Sequence, residues 1–351
     1  MKISTNGPIE NHSEPDVMLT RRSALKSLVG APLSFGVIAS VLAPGQVNAQ
    51  DAAVPVALIT GSSSGFGNAS AKTLARNGFH VIASMRNIAG ENSGAAQSLL
   101  DLAKEETLKI DVVEIDIDSD ASVAAGMADV MSRTDRIDVL FNNAGISIPG
   151  PVELSMAAAR QSFETNLFGQ LRMLRAVAPG MRENRNGLII QMSSGLGRFV
   201  IPTSGIYCAT KFAQEALFES AAYELHPFGV EVAIVQPSDY ATDIKANSRR
   251  YFGELLESLS SEDTERANAY AEHLEITKRE LRDTATPPVQ EVADVVLELA
   301  TTPAGQRPLR QVSMPPEMAS GVNQLNANLE GVQTAILEGS GMGDWLTLAS
   351  G

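Results

Sequence analysis

Tyr207 and Lys211 stand four residues apart, so on a helix their side chains leave from one face. A phenol with an ordinary pKa of about 10 is a poor base at neutral pH, but an adjacent ammonium stabilises the phenolate. The pair can therefore pass a proton to and from an alcohol or carbonyl oxygen. Ser194 follows the strand-like run Leu188-Ile189-Ile190 and can donate a hydrogen bond to the same oxygen as its charge develops. Cys208, next to the tyrosine, has no paired base in the sequence and is expected to pack or to line a pocket.

A second stretch with chemical content is Thr60-Gly61-Ser62-Ser63-Ser64-Gly65-Phe66-Gly67, directly after the run Val56-Ala57-Leu58-Ile59. Glycines let the backbone approach a pyrophosphate, and the helix that opens here offers unpaired N–H groups and a positive dipole end. Gly61, Ser64, Gly65, Phe66 and Gly67 are accordingly candidate cofactor contacts. Rossmann-type NAD sites place an acidic residue after the second strand, where this chain reads Ala83-Ser84-Met85-Arg86-Asn87. No carboxylate stands there to repel a 2′-phosphate, and the Arg86 guanidinium suits one, so NADP(H) is favoured over NAD(H).

Something must hold these groups together. Short aliphatic runs alternate with longer amphipathic stretches from Val54 onward, the pattern of βαβ units in a parallel sheet. The expected strands are Val56–Ile59, Val81–Ala83, Val112–Ile115, Val139–Phe141, Leu188–Ile190 and Val232–Val235, nearly uninterrupted as strands covered on both faces should be. Helices are expected over Phe66–Arg76, closed by Asn77-Gly78, over Ser155–Arg182 and over Gly205–His226. The fold class is α/β, a Rossmann-like, doubly wound parallel sheet flanked by helices in a single domain. Residues 244–286 are charged and helical in character and interrupt the rhythm, which makes them a candidate substrate lid.

Tyr207-Cys208-Ala209-Thr210-Lys211, Asn142-Asn143-Ala144-Gly145 and the glycine spacing, taken in order, closely resemble the short-chain dehydrogenase/reductase family, strongly over residues 54–240. The resemblance implies Ser194, thirteen residues before Tyr207, as the serine that acts with it. It assigns Asn166 the holding of a water that relays protons to Lys211, and lets Tyr207 and Lys211 meet the nicotinamide nucleotide. It places Asp116 at the adenine ring, Asn143 at the adenosine ribose, and Pro237 and Thr242 at the nicotinamide carboxamide. Gln236-Pro237-Ser238 departs from the family pattern, which commonly has Pro-Gly there.

The chain has 351 residues, a formal net charge of −14 and one cysteine. Acidic balance argues against nucleic-acid binding, and a lone cysteine with four scattered histidines gives no metal-ligand spacing. A small-molecule partner, with redox chemistry from a bound cofactor, is what remains. Arg21 and Arg22, the uncharged run from Ser27 to Pro44 and Val47-Asn48-Ala49 resemble a twin-arginine export signal over residues 1–49. An uncleaved membrane anchor is the alternative. The signal implies passage through the export machinery, cleavage after Ala49, and a mature domain of residues 50–351 in a bacterial periplasm, or in the cytoplasm if it is not used.

Leu196, Phe199, Val200, Ile201, Ile206, Ile146 and Ile148 suit either the wall of an apolar pocket or the core. A lipophilic secondary alcohol or ketone is the expected substrate, because the sequence is also similar to the hydroxysteroid and retinol dehydrogenase branch of the family. Two other classes share the fold: an epimerase or dehydratase without net redox turnover, and a nucleotide-binding sensor, against which the presence of Tyr207, Lys211 and Ser194 counts. The family also implies a homo-oligomer, paired through the helices from Ser155 and Gly205.

Overall fold

The computed structural model describes residues 53–282 and 286–345, which belong to one compact unit beginning at Ala53. The twin-arginine-like segment and its cleavage site lie outside the described residues.

Six strands arise from the six aliphatic runs: β1 (Val56–Ile59), β2 (His80–Met85), β3 (Ile110–Glu114), β4 (Val139–Asn142), β5 (Gly187–Met192) and β6 (Val230–Pro237). Helices connect them: α1 (Gly65–Arg76), α2 (Ser93–Glu105), α3 (Asp120–Arg133), α4 (Met156–Phe163) with α5 (Gln170–Asn184), and α6 (Gly205–Leu225). After β6 come α7 (Ile244–Glu257), α8 (Ser261–Ala269), α9 (Ala271–Glu280), α10 (Gln290–Thr301), a seventh strand β7 (Arg310–Ser313) and α11 (Pro316–Gly339). All neighbours pair in parallel, in the order β3-β2-β1-β4-β5-β6-β7. Winding reverses between β1 and β4, and such a switch point leaves a crevice beyond the carboxyl ends of the strands.

The two-residue period of each strand divides the core into two halves. Ala57 and Ile59 of β1 face Leu74 of α1, Leu99 of α2 and Val296 of α10, whereas Val56 and Leu58 face Val130 of α3, Met173 and Val177 of α5 and Phe218 of α6. Helices on both faces explain why the strands read as continuous apolar runs rather than alternating ones.

Three features differ from the expectation or were not foreseen. The long helix expected from Ser155 to Arg182 is broken by a π-helical turn, Glu164–Gly169, between α4 and α5. Contacts outside the helix hold that turn: Thr165 donates to Asp118 at 2.7 Å, and Gly169 packs so closely on Ile117 that a Cβ there would lie 2.8 Å from its side chain. β7 has only Val312 as an aliphatic residue, too weak a pattern to read, and exists by pairing with β6. The segment after β6 forms three helices gathered on a small core of their own, in which Phe252, Ala267, Leu274 and Leu281 surround Leu154 from the loop after β4.

Candidate active site

The phosphate-type turn is built by glycine geometry and by one asparagine. Gly61 has φ +66°, and a Cβ on it would lie 2.9 Å from the Ala144 backbone. At Gly67 a Cβ would lie 2.3 Å from the Gly61 carbonyl oxygen, so the turn closes only without side chains at these points. Asn143 staples it from β4: its backbone N–H donates to Thr60 Oγ1 at 2.9 Å and its Nδ2 to the carbonyls of Thr60, at 2.9 Å, and Gly61, at 3.3 Å.

At the end of β2, the Arg86 carbonyl accepts from Asn92 Nδ2 at 2.7 Å, and its guanidinium donates to the Tyr251 hydroxyl of α7 at 3.2 Å. Burial works against the Arg86 charge. The Tyr251 phenol and the carboxylates of Asp116 and Glu91 outweigh it and hold the guanidinium above its ordinary value. Asp116 closes a tight turn by accepting from the Asp118 N–H at 3.1 Å, which fixes its carboxylate at the same end of the cleft.

The opposite end brings β5 and α6 together. Ser194 caps the short 3₁₀ turn Gly195–Gly197, with Oγ accepting from the Leu196 N–H at 3.1 Å. Lys211, only 4% exposed, donates to the Met192 carbonyl at 3.0 Å and lies 5.5 Å from the centre of the Tyr207 ring. Burial pushes the Tyr207 phenol up to about 12, with hydrogen bonding to Ser194 pulling the other way. Burial also brings the Lys211 ammonium down to about 7, opposed by the carboxylate of Glu215 one turn along α6.

Glu215, 2% exposed, meets Arg198 at 2.8 Å, Arg310 of β7 at 3.0 Å and Gln236 of β6 at 2.8 Å. Asn326 of α11 joins the cluster through Gln236, at 2.7 Å, and Arg198, at 2.9 Å. Two buried guanidiniums are thus compensated by Glu215 and by Glu219, which pairs with Arg310.

One cleft of about 470 Å³ runs between the two ends, a volume usual for small-molecule sites. Gly61, Ser64, Gly65, Phe66, Arg86, Asp116, Asn143, Ser194, Tyr207, Lys211, Pro237 and Thr242 all line it. Gly67 and Asn166 do not. Gly67 supports the turn from behind. Asn166, in the π-helical turn, clasps Ile146 with Oδ1 accepting from its N–H and Nδ2 donating to its carbonyl, both at 2.8 Å, while Nδ2 also reaches Thr210 Oγ1 at 3.1 Å. The Asn166 backbone carbonyl accepts from Gln214. Ser238, where the family commonly has glycine, does not take a left-handed φ, and its N–H donates to the Ser313 carbonyl at 3.0 Å, so serine is accommodated. Cys208 is buried in α6. Among the described residues, no group of three or more His, Cys, Asp or Glu could hold a metal ion, and no helix is long and apolar enough to cross a membrane.

Residues of α7 were missed as cleft residues. Ile244, Asn247 and Tyr251 line the cleft at intervals of three and four, which is one helix face. That periodicity is visible in the sequence, but nothing local says what the face lies against. Glu215 was missed too, being one glutamate among many until the fold buries it.

Comparison with known proteins gives a consistent picture. The family model described as short chain dehydrogenase matches residues 55–251. A 3-ketodihydrosphingosine reductase of Bacteroides thetaiotaomicron is 34% identical over 66% of this chain and 79% of its own. Retinol dehydrogenase 8 of Bos taurus is 36% identical over 58% of this chain and 62% of its own, so the match spans less than two thirds of that relative. A crystal structure of a short-chain dehydrogenase from Streptomyces avermitilis is 28% identical, covers 83% of this chain and 98% of its own, and superposes with a TM-score of 0.62. Other solved neighbours of this fold were crystallised with NADP in one case and NAD in another.

Proposed function

The chain belongs to the short-chain dehydrogenase family of oxidoreductases, and on that premise we propose that it interconverts a lipophilic secondary alcohol and the corresponding ketone with NADP(H), using Tyr207 as general acid and base. The observation that carries the reading is the meeting of Tyr207, Lys211 and Ser194 in the cleft that the glycine turn and Arg86 close at its other end.

The cleft fits a dinucleotide. The N-terminus of α1 opens into it at Ser64-Gly65-Phe66, Gly61 lines it with bare backbone, and a cation rather than a carboxylate follows β2. When bound there, the nicotinamide supplies or accepts the hydride. Tyr207 holds the proton: its phenol delivers it to the oxygen of a ketone, or takes it from an alcohol. Lys211 lowers the cost of the phenolate with a positive charge fixed by Met192, and Ser194 stabilises the substrate oxygen as it gains charge. Asn166 is read as a positioning residue that holds the loop at Ile146 against α6.

Support for a lipophilic substrate comes from Ile146, which lines the cleft, and from Val152, Met156, Val200 and Ile201, exposed apolar side chains beyond its lining, with Val152 packed against Gly205 at the start of the tyrosine-bearing helix. Relatives named for 3-ketodihydrosphingosine and retinol favour the same class. Spectrophotometry of the chain with NADPH and a panel of lipophilic ketones tests the reading, with Tyr207→Phe as control. NADPH oxidation that vanishes in Tyr207→Phe is expected. Nucleotide binding without ketone or alcohol turnover would move the assignment to a sensor or to an epimerase.

Residues 1–49 are read as an export signal and residues 50–351 as the mature single domain, with the segment 244–286, which carries α7 to α9, as lid. N-terminal sequencing of protein recovered from the periplasm should begin near Gln50. Exposed Phe168 and Phe212, on the helices expected to pair, support a homo-oligomer, which light scattering would report as a multiple of the chain mass.

A further inference from the structure

We propose that α7 carries half of the nucleotide-selecting site: Arg250 is a second cation for the 2′-phosphate, acting with Arg86 across Tyr251, so that NADP(H) gains a contact with α7 that NAD(H) does not. The inference deepens the cofactor reading above and rests on it.

Two guanidiniums converge on one phenol. Tyr251 is buried, its hydroxyl accepts from Arg86 at 3.2 Å, and the Arg250 guanidinium lies 4.3 Å from the centre of its ring. Both arginines line the cleft, and α7 follows it from Ile244, beside Thr242, to Tyr251 at Arg86. The helix is held from behind by Phe252 in the cluster around Leu154, so it presents these groups from a packed element rather than a loose loop.

Charge balance requires more than Arg86. The carboxylates of Asp116 and Glu91 already face that guanidinium. A 2′-phosphate brings a further charge of about −1.5 to −2, which one arginine among two carboxylates would leave uncompensated. Arg250 is the next cation along the cleft wall. Its partner is Glu254, four residues on, in a pair 43% and 54% exposed at 2.8 Å. Such surface pairs contribute on the order of 0–1 kcal/mol, so turning Arg250 from Glu254 toward a phosphate costs little. NAD(H), with a hydroxyl in place of that phosphate, lacks this charged partner for the two arginines.

The test is fluorescence titration of NADPH and NADH with the full chain and with Arg86→Gln, Arg250→Gln and Arg250→Lys. Limited proteolysis of the α7–α9 segment runs alongside, in the presence of adenosine 2′,5′-bisphosphate or adenosine 5′-monophosphate. Arg250→Gln should raise the Kd for NADPH roughly tenfold, the scale of one charge-assisted hydrogen bond, and leave that for NADH within about twofold. Arg250→Lys should recover part of the loss, and only the bisphosphate should protect the segment. Arg250 is exposed, so the substitutions leave the fold intact, which an unchanged Tm verifies. If Arg86→Gln abolishes the preference for NADPH while Arg250→Gln keeps it, the inference falls and the cofactor reading stands. A wild-type chain that binds NADH as tightly as NADPH overturns both.

Discussion

The Lys211 ammonium donates to the backbone carbonyl of Met192, the last residue of β5, at 3.0 Å. That bond ties the sheet to α6 two residues before Ser194, so Ser194, Tyr207 and Lys211 share one corner of the cleft. A buried ammonium is costly, however, and the cost is measurable.

Lys211 titrates near 7 in the fold against 10.5 when unperturbed. Between those values the unfolded chain binds more protons than the native state, so the contribution of this group to stability rises with pH across that window, and its burial penalty is complete below it. Lys211→Met should therefore be more stable than wild type at pH 6, on the order of 1–3 kcal/mol, with the gap closing toward pH 10. Urea denaturation at a series of pH values checks this, and a variant less stable at pH 6 would refute it.

Burial keeps the Tyr207 phenol protonated through the neutral range, with a folded value of about 12. Reduction, which needs the proton on Tyr207, should hold its rate through neutral pH and decline on the alkaline side. Oxidation, which needs it removed, should climb with pH. Profiles of kcat/KM in both directions test the sign, and parallel slopes would exclude Tyr207 as the titrating group.

In the proposed reaction, Ser194→Ala removes one donor to the developing oxyanion. Turnover should drop about 10²- to 10³-fold, with the Kd for nucleotide nearly unchanged. Rapid-mixing kinetics with a separate binding titration distinguishes this from general damage, since Ser194 also caps the 3₁₀ turn through Leu196.

Gly67→Ala places a methyl group 2.3 Å from the Gly61 carbonyl oxygen. Backbone, not a flexible side chain, would have to move, and overpacking of this kind costs roughly 1–3 kcal/mol. Thermal melts should show that loss, and nucleotide affinity should fall because the turn itself is displaced. Gly78→Ala makes a contrasting control: it meets nothing within 4 Å and bears only the strain of φ +87°, so affinity should survive.

Glu215→Ala leaves Arg198 and Arg310 without the carboxylate between them. Breaking a buried pair in this way costs about 3–5 kcal/mol. Chemical denaturation should register it, and loss of a carboxylate that supports the Lys211 ammonium should move the alkaline limb of the activity profile, where that charge is lost, to lower pH.

Much of the site is legible before folding because its signals are local. Gly61, Gly65 and Gly67 announce a turn by spacing, Tyr207 and Lys211 announce a shared face by a four-residue interval, and β1, β2 and β4 to β6 announce themselves by aliphatic runs. Asn166 shows where that legibility ends. Its helix has an ordinary local pattern, and only Ile117, Asp118, Ile146 and Thr210, distant in sequence, turn it into a π-helical clasp.

What the sequence determined alone is therefore the alternation of strands and helices, the glycine turn, and the shared helix face of Tyr207 and Lys211, since each is written in periodicities of two to four residues. Tertiary structure decided the rest: that β7 exists beside β6, that Glu215 is buried between two arginines, and that α7 lies along the cleft with Tyr251 against Arg86. These depend on contacts between residues far apart along the chain, as with the 165 positions that separate Arg86 from Tyr251. No local pattern encodes such a contact; the packing of the completed sheet does.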